Sequence, residues 1–158
     1  KYRERHYGYK NHVKISKESK FITEFDVSAA NVHDSQCLEN LLGENDENSD
    51  LYGDSAYSSN KIREMLAQKG IENKINEKGY RGHSLTEEQK AQNKIKSKVR
   101  VRVEHTFGLI QNTLKGDKLR TIGIKRAKTM IALVNLVYNL YRYQQIMSLR
   151  GKINAKMR

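Results

Sequence analysis

Asp54 closes the short stretch "LYGD" (residues 51–54) and stands just ahead of "SAYSS", a turn rich in Ser and Tyr. A strand that ends on an aspartate holds the carboxylate rigidly at the edge of a sheet, where it can bind a metal ion instead of packing in a core. One carboxylate is not a site. The second acid that stands out is Glu104, in the most basic segment of the chain, "KVRVRVEH" (98–105). Carboxylates suit Mg²⁺ because it is a hard ion that prefers oxygen ligands. Two such ions held about 3.5 to 4 Å apart activate the attacking oxygen and stabilise the leaving oxygen of a phosphodiester.

Glu104 needs a helix to carry it. Thr86 can cap that helix, Gln89 lies three residues on as in a capping box, and no Pro interrupts the run to about Thr113. Reading residues 90 to 107 four at a time separates three stripes, because successive residues turn by about 100°. The middle one, Ile95, Val99, Val103 and Phe107, is expected to face the core. Lys90, Lys94, Lys98 and Arg102 form a basic ladder on one side; Lys96, Arg100 and Glu104 lie on the other. The bland alternative is that Arg100 and Glu104 form an ordinary helix ion pair, worth about 0.3 to 0.5 kcal/mol, and that the ladder is a solvated face.

The remaining elements must position both carboxylates. "YGYKNHVKI" (7–15) and "KFITEFDVSAA" (20–30) read as strands of a hairpin, with a polar turn over Lys17 to Lys20. Cys37, Leu38, Leu41 and Leu42 recur at helical spacing after a cap at Asp34 or Ser35, with Gly43 past the end. The acidic "ENDENSD" (44–50) reads as a solvated loop. A strand at 51–54, a helix over 58–70 with Ile62, Met65 and Leu66 inward, and a strand at 71–75 follow. The loop "NEKGYRGHS" (76–84) leads into the long helix. A last helix from about Lys125 places Met130, Ile131, Val134, Val137, Tyr138 and Tyr141 inward. This order predicts an α/β fold, a mixed sheet flanked by helices.

With 158 residues, the chain is long enough for one domain with a real core. Thirty Lys and Arg against eighteen Asp and Glu leave a formal charge of +12, which favours a polyanionic partner, nucleic acid first. There is no apolar run of about 18 residues and no signal-peptide pattern, so a membrane is not expected and a cytoplasmic location is. Cys37 is the single cysteine, which excludes an intrachain disulfide and a Cys-rich zinc site and marks it as a small buried hydrophobe.

Other candidates are weaker. His33 and Asp34 invite a metal phosphohydrolase reading, but His6, His12, His83 and His105 have no spacing that would complete it, and a helix-capping role accounts for Asp34. The glycines form no phosphate-cradling pattern. Tyr138 and Tyr141 sit at core spacing, which leaves Tyr80, between Lys78 and Arg81, as the one tyrosine placed for stacking on bases.

A strand-end carboxylate, then a helix and a strand, then a carboxylate on the following long helix is the layout of a ribonuclease-H-like nucleotidyl-transfer fold. The chain resembles the DDE transposases of bacterial insertion sequences, most closely the insertion-sequence-five group. The likeness lies in "YGYKNH", "AANVHDSQ", "GDSAYSS", "RVRVEHTFG", "RTIG" and "KRAKTMIALVNLVYNLYR", in that order. It implies that Asp54 is the second aspartate of the triad, Glu104 its glutamate, and Arg100 the arginine four residues before that glutamate. The related signature has Tyr where Ser97 stands and Lys where Gln111 stands, so the DNA-binding roles of those two positions are not carried over. The resemblance also implies two Mg²⁺ ions, or Mn²⁺ in their place. Its partners would be DNA, both transposon ends and target, bound by a homo-oligomer at the bacterial nucleoid.

The first aspartate of the triad is expected on a strand ahead of "YGYK", outside this chain; Asp26 is on the wrong strand to replace it. Residues 1–150 are therefore expected to be an N-terminally truncated catalytic domain, with a basic tail over 151–158. Two functions follow. The parent is a DNA strand-transfer enzyme of which this piece alone is inactive, or the chain is a remnant that only binds DNA. On the first reading, the Asp54 and Glu104 carboxylates converge on a groove bordered by Arg100 and the loop 76–84.

Overall fold

Two antiparallel strands open the described part of the chain, residues 8–156 of a computed structural model. β1 (Tyr9–Ile15) and β2 (Ile22–Ala29) pair from Tyr9 opposite Ala29 to Ile15 opposite Ile22. Tyr7, the expected first residue of this hairpin, lies outside the described residues. The turn is where the polar stretch predicts it: the Lys20 N–H donates to the Ser16 carbonyl and the Ser16 N–H to the Phe21 carbonyl, each at 2.9 Å. Helix α2 (Glu87–Asn112) starts at the expected capping box. The Gln89 N–H donates to Thr86 Oγ1 at 3.2 Å, and the Thr86 N–H donates to Gln89 Oε1 at 2.9 Å.

The chain divides into two compact units, with the boundary inside α2 between Glu104 and His105. The first holds β1, β2, the end of α2 and the last helix, α3 (Ile124–Lys156). Its core is Ile22, Ile110 and Tyr138, with Val13, Phe25, Leu109 and Val134 packed around them. The expected tail therefore begins within α3, which continues to Lys156; Met157 and Arg158 lie outside the described residues.

The face of α3 that packs is not the most apolar one. Ile131 and Tyr138 are buried as expected, but Met130, Val137 and Tyr141 are exposed, while Ala127 and Asn135 are buried. The reason lies in the backbone of the hairpin. Asn139 Oδ1 accepts from the Ile22 N–H and its Nδ2 donates to the Ile22 carbonyl, both at 2.9 Å. Asn135 exchanges amide hydrogen bonds with Asn11, the Tyr138 hydroxyl donates to the Lys20 carbonyl, and Arg142 Nε donates to the Ser19 carbonyl. Residues 135, 138, 139 and 142 share one helical face. An unpaired buried backbone group costs about 1 to 3 kcal/mol, as much as burying an aliphatic side chain gains. The helix therefore presents its polar anchors and leaves apolar side chains outside.

The second unit, Asn31 to Glu104, has its own core of Leu38, Leu42, Ile62, Leu66, Ile71 and Ile75, with Leu51, Tyr57 and Met65 against it. Helix α1 (Asn60–Gln68) is capped by Ser59 Oγ, which accepts from the Ile62 N–H, and its end is followed by Gly70 at φ 65°. Cys37 is buried, as its neighbours imply. The helix expected over 34–42 is instead two 3-10 turns, Asp34–Gln36 and Glu39–Leu41, the first capped by His33 rather than by Asp34 or Ser35. The two 3-10 turns still bury Cys37, Leu38, Leu41 and Leu42. Within "ENDENSD" a further 3-10 turn spans Glu44–Asp46.

The fold is mixed α/β, as expected, but its four strands do not form one mixed sheet. β1 pairs with β2, and β3 (Asp50–Leu51) pairs in parallel with β4 (Glu72–Asn73). Strands of two residues offer too few backbone groups to recruit a further neighbour. Two substitutions test the first unit. Asn139→Leu, which strands both backbone groups of Ile22, lowers the unfolding free energy by about 2 kcal/mol in a urea titration. At Gly116 a Cβ would meet Val134 Cγ1 at 2.5 Å and Ile110 Cγ2 at 3.1 Å, so Gly116→Ala costs about 1 to 3 kcal/mol by overpacking.

Candidate active site

The two strand tips of the second unit set the position of Asp54. The register is Asp50 opposite Glu72 and Leu51 opposite Asn73. Beyond the strands themselves the same hydrogen-bond rhythm continues: the Glu72, Lys74 and Asn76 N–H groups donate to the Ser49, Leu51 and Gly53 carbonyls at 2.8, 2.9 and 3.1 Å. Carried to its end, this register sets Asn76 beside Asp54. The approach is close enough that a Cβ at Gly53 would lie 3.2 Å from Ile75 Cγ1. Asp54 is exposed, and its Oδ1 accepts from the Ser55 N–H at 2.6 Å, capping a 3-10 turn over Ser55–Tyr57.

Helix α2 turns a polar face to this tip, which corrects the stripe expected to face the core. Ile95 is 58% exposed and Val99, Val103 and Phe107 are only partly buried. The packed positions of its first half are Gln89, Asn93, Lys96 and Ser97. Asn93 takes both backbone groups of Glu77, Lys96 Nζ donates to the Ile75 carbonyl at 3.1 Å, and Asn76 Nδ2 donates to Ser97 Oγ at 3.0 Å. The residues after β4 have no sheet partner on that side, and the helix supplies one from its side chains.

One turn beyond Ser97, Arg100 Nη2 lies 3.1 Å from Glu104 Oε1. The ordinary helix ion pair is thus present. From the Asp54 segment, hydrogen bonds run from the Gly53 carbonyl through Asn76 to Ser97 Oγ, one helical turn before Arg100. Lys94 and Lys98 are exposed, Arg102 is partly buried, and Lys90 is paired with Glu87 at 2.8 Å. Tyr80 is exposed in a tight turn closed by its own backbone bonds to His83.

Two features mark this region electrostatically. Burial, followed by the nearby Asp34, Cys37 and Asp54, pushes the Tyr57 hydroxyl up to about 12. In addition, Asn76 Oδ1 and Arg100 Nε are buried and have no hydrogen-bond partner among the described residues. The carboxylate oxygens of Asp54 and Glu104 suit a hard divalent cation in kind. In number they fall short of a closed site, and no three His, Cys, Asp or Glu side chains cluster to hold a metal among the described residues. Asn76 and Ser97 escaped the sequence reading, although a signal existed: "IENKIN" ends on Asn as "LYGD" ends on Asp.

The chain matches the family model described as "Transposase DDE domain" over residues 1–140, and it belongs to that family. A transposase for insertion sequence element IS1106 of Neisseria meningitidis serogroup B is 27% identical over 135 residues, which is 85% of this chain and 46% of that protein. The chain therefore spans about half the length of this curated relative. No solved structure matches it. The resemblance to insertion-sequence transposases is borne out.

The raised Tyr57 hydroxyl has a measurable consequence. Because the phenol ionises more readily in the unfolded chain, its contribution to stability is complete below the ordinary value of 10 and is lost as pH rises towards about 12. Urea titrations across that window show a steeper loss of stability for the native chain than for Tyr57→Phe.

Proposed function

We propose that this chain is the C-terminal part of a DDE transposase catalytic domain with ribonuclease-H-like architecture, both units belonging to that one domain over residues 1–150. Asp54 and Glu104 would hold divalent cations, Mg²⁺ or Mn²⁺, together with an aspartate supplied from outside this chain. Arg100, Lys94, Lys98 and Arg102 would bind DNA, at transposon ends and at the target, in a homo-oligomer of the parent protein. The observation that carries this reading is the hydrogen-bonded path from Gly53, next to Asp54, through Asn76 to Ser97, on the helix that also carries Arg100 and Glu104.

The cations, once bound, supply an activated oxygen nucleophile and neutralise charge at the scissile phosphodiester. The chain's own residues bind and orient. An exposed helix ion pair is worth only about 0.3 to 0.5 kcal/mol. Arg100 therefore exchanges Glu104 for a phosphate oxygen at little cost, which frees the glutamate. The exposed Lys94 and Lys98 sit one turn apart, at a spacing suited to binding successive phosphates. A DNA-binding remnant without chemistry is the second reading, favoured by the presence of only two candidate carboxylates among the described residues. Among those residues no helix is long and apolar enough to cross a membrane. The formal charge of +12 suits a polyanionic partner such as nucleic acid.

Two measurements test this. The 158-residue chain binds duplex DNA weakly, and replacing Lys94 and Lys98 by Gln lowers the slope of log affinity against log salt by about 2, at roughly 0.9 for each phosphate no longer neutralised; an unchanged slope places DNA elsewhere. In a parent protein that carries the third carboxylate, Asp54→Asn or Glu104→Gln abolishes Mg²⁺-dependent cleavage while DNA binding persists. The isolated chain cleaves no DNA above background.

A further inference from the structure

Asn76 lies on no helix and carries no charge, yet it makes two connections that join separate segments. Its N–H donates to the Gly53 carbonyl at 3.1 Å, next to Asp54. Its Nδ2 donates to Ser97 Oγ at 3.0 Å, one helical turn before Arg100 and two before Glu104. Its Oδ1 is buried and unpartnered, as is Arg100 Nε on the same side of the helix. On either side of it, the Lys96 bond to the Ile75 carbonyl and the two Asn93 bonds to Glu77 hold the backbone to α2. The side chain of Asn76 is therefore not needed merely to dock the segment.

We propose that Asn76 is a positioning residue of the candidate site. Through Ser97 it sets the spacing between the Asp54 tip and the helix turn that carries Arg100 and Glu104. The inference rests on the assignment of Asp54 and Glu104 as a shared cation site. Burying an amide with an unmet acceptor costs stability, and such a cost is commonly met where a side chain sets the geometry of a site.

The test uses the 158-residue chain and Mn²⁺ as probe, with paramagnetic broadening of the Asp54 and Glu104 amide signals followed by NMR. In the native chain the two signals broaden together, at one midpoint. Ser97→Ala and Asn76→Leu leave the remaining spectrum native but separate the two midpoints and weaken joint binding by about 10-fold, the usual effect of removing an outer-shell support. Ser97→Thr, whose hydroxyl still accepts from Asn76 Nδ2, keeps the common midpoint. If both Ser97→Ala and Asn76→Leu keep the native coincidence, the positioning role is overturned while the cation site stands. If the native chain itself shows two unrelated midpoints, or Asp54→Asn changes neither, the shared site fails and the role of Asn76 falls with it.

Discussion

Backbone groups at the ends of short strands must find partners, and in this protein the side chains of two long helices provide them. A ladder of two residues cannot satisfy the chain that runs on past it, and burying those groups unpaired is too costly to leave. Asn139 of α3 closes both backbone bonds of Ile22 in one unit, and Asn93 of α2 closes both of Glu77 in the other. The orientation of each helix follows from this demand. The apolar stripes then pack where the anchors allow.

The candidate site is a by-product of the same arrangement. Asn93 and Lys96 fix α2 against the residues after β4, and the next two turns of the helix carry Arg100 and Glu104. Beyond the parallel strands the Asn76 N–H still bonds the Gly53 carbonyl, next to Asp54. Of the forces present, the Arg100–Glu104 pair is the weakest, being partly exposed and screened by salt. It contributes little to folding.

The chain belongs to the transposase family and carries a formal charge of +12. Lys94 and Lys98 take no part in packing, and their helix buries little apolar surface in its first half. Residues released from packing are free to be chosen for charge. The face of α3 that points away from the hairpin shows the converse: Leu133, Leu136, Val137 and Leu140 are exposed, because the buried face is taken by polar anchors.

Much of this was legible in the sequence. The hairpin with its turn at Lys17 to Lys20, the capping box at Thr86 and Gln89, helix α1 with Ile62 and Leu66 inward, the buried Cys37 and Tyr138, and the α/β class are all set by neighbours within a few residues, where propensity and capping act. What tertiary structure decided is which side of each long helix faces inward. Hydrophobic periodicity selected Ile95 and Val137, whereas the fold buried Asn135 and packed Asn93 and Ser97. A count of apolar side chains contains no term for a strand end, distant in sequence, whose backbone requires a donor and an acceptor. For the same reason Asp54 and Glu104 could be named from the sequence, but Asn76, whose meaning lies in its hydrogen bonds to Gly53 and Ser97, emerged only when the chain was folded.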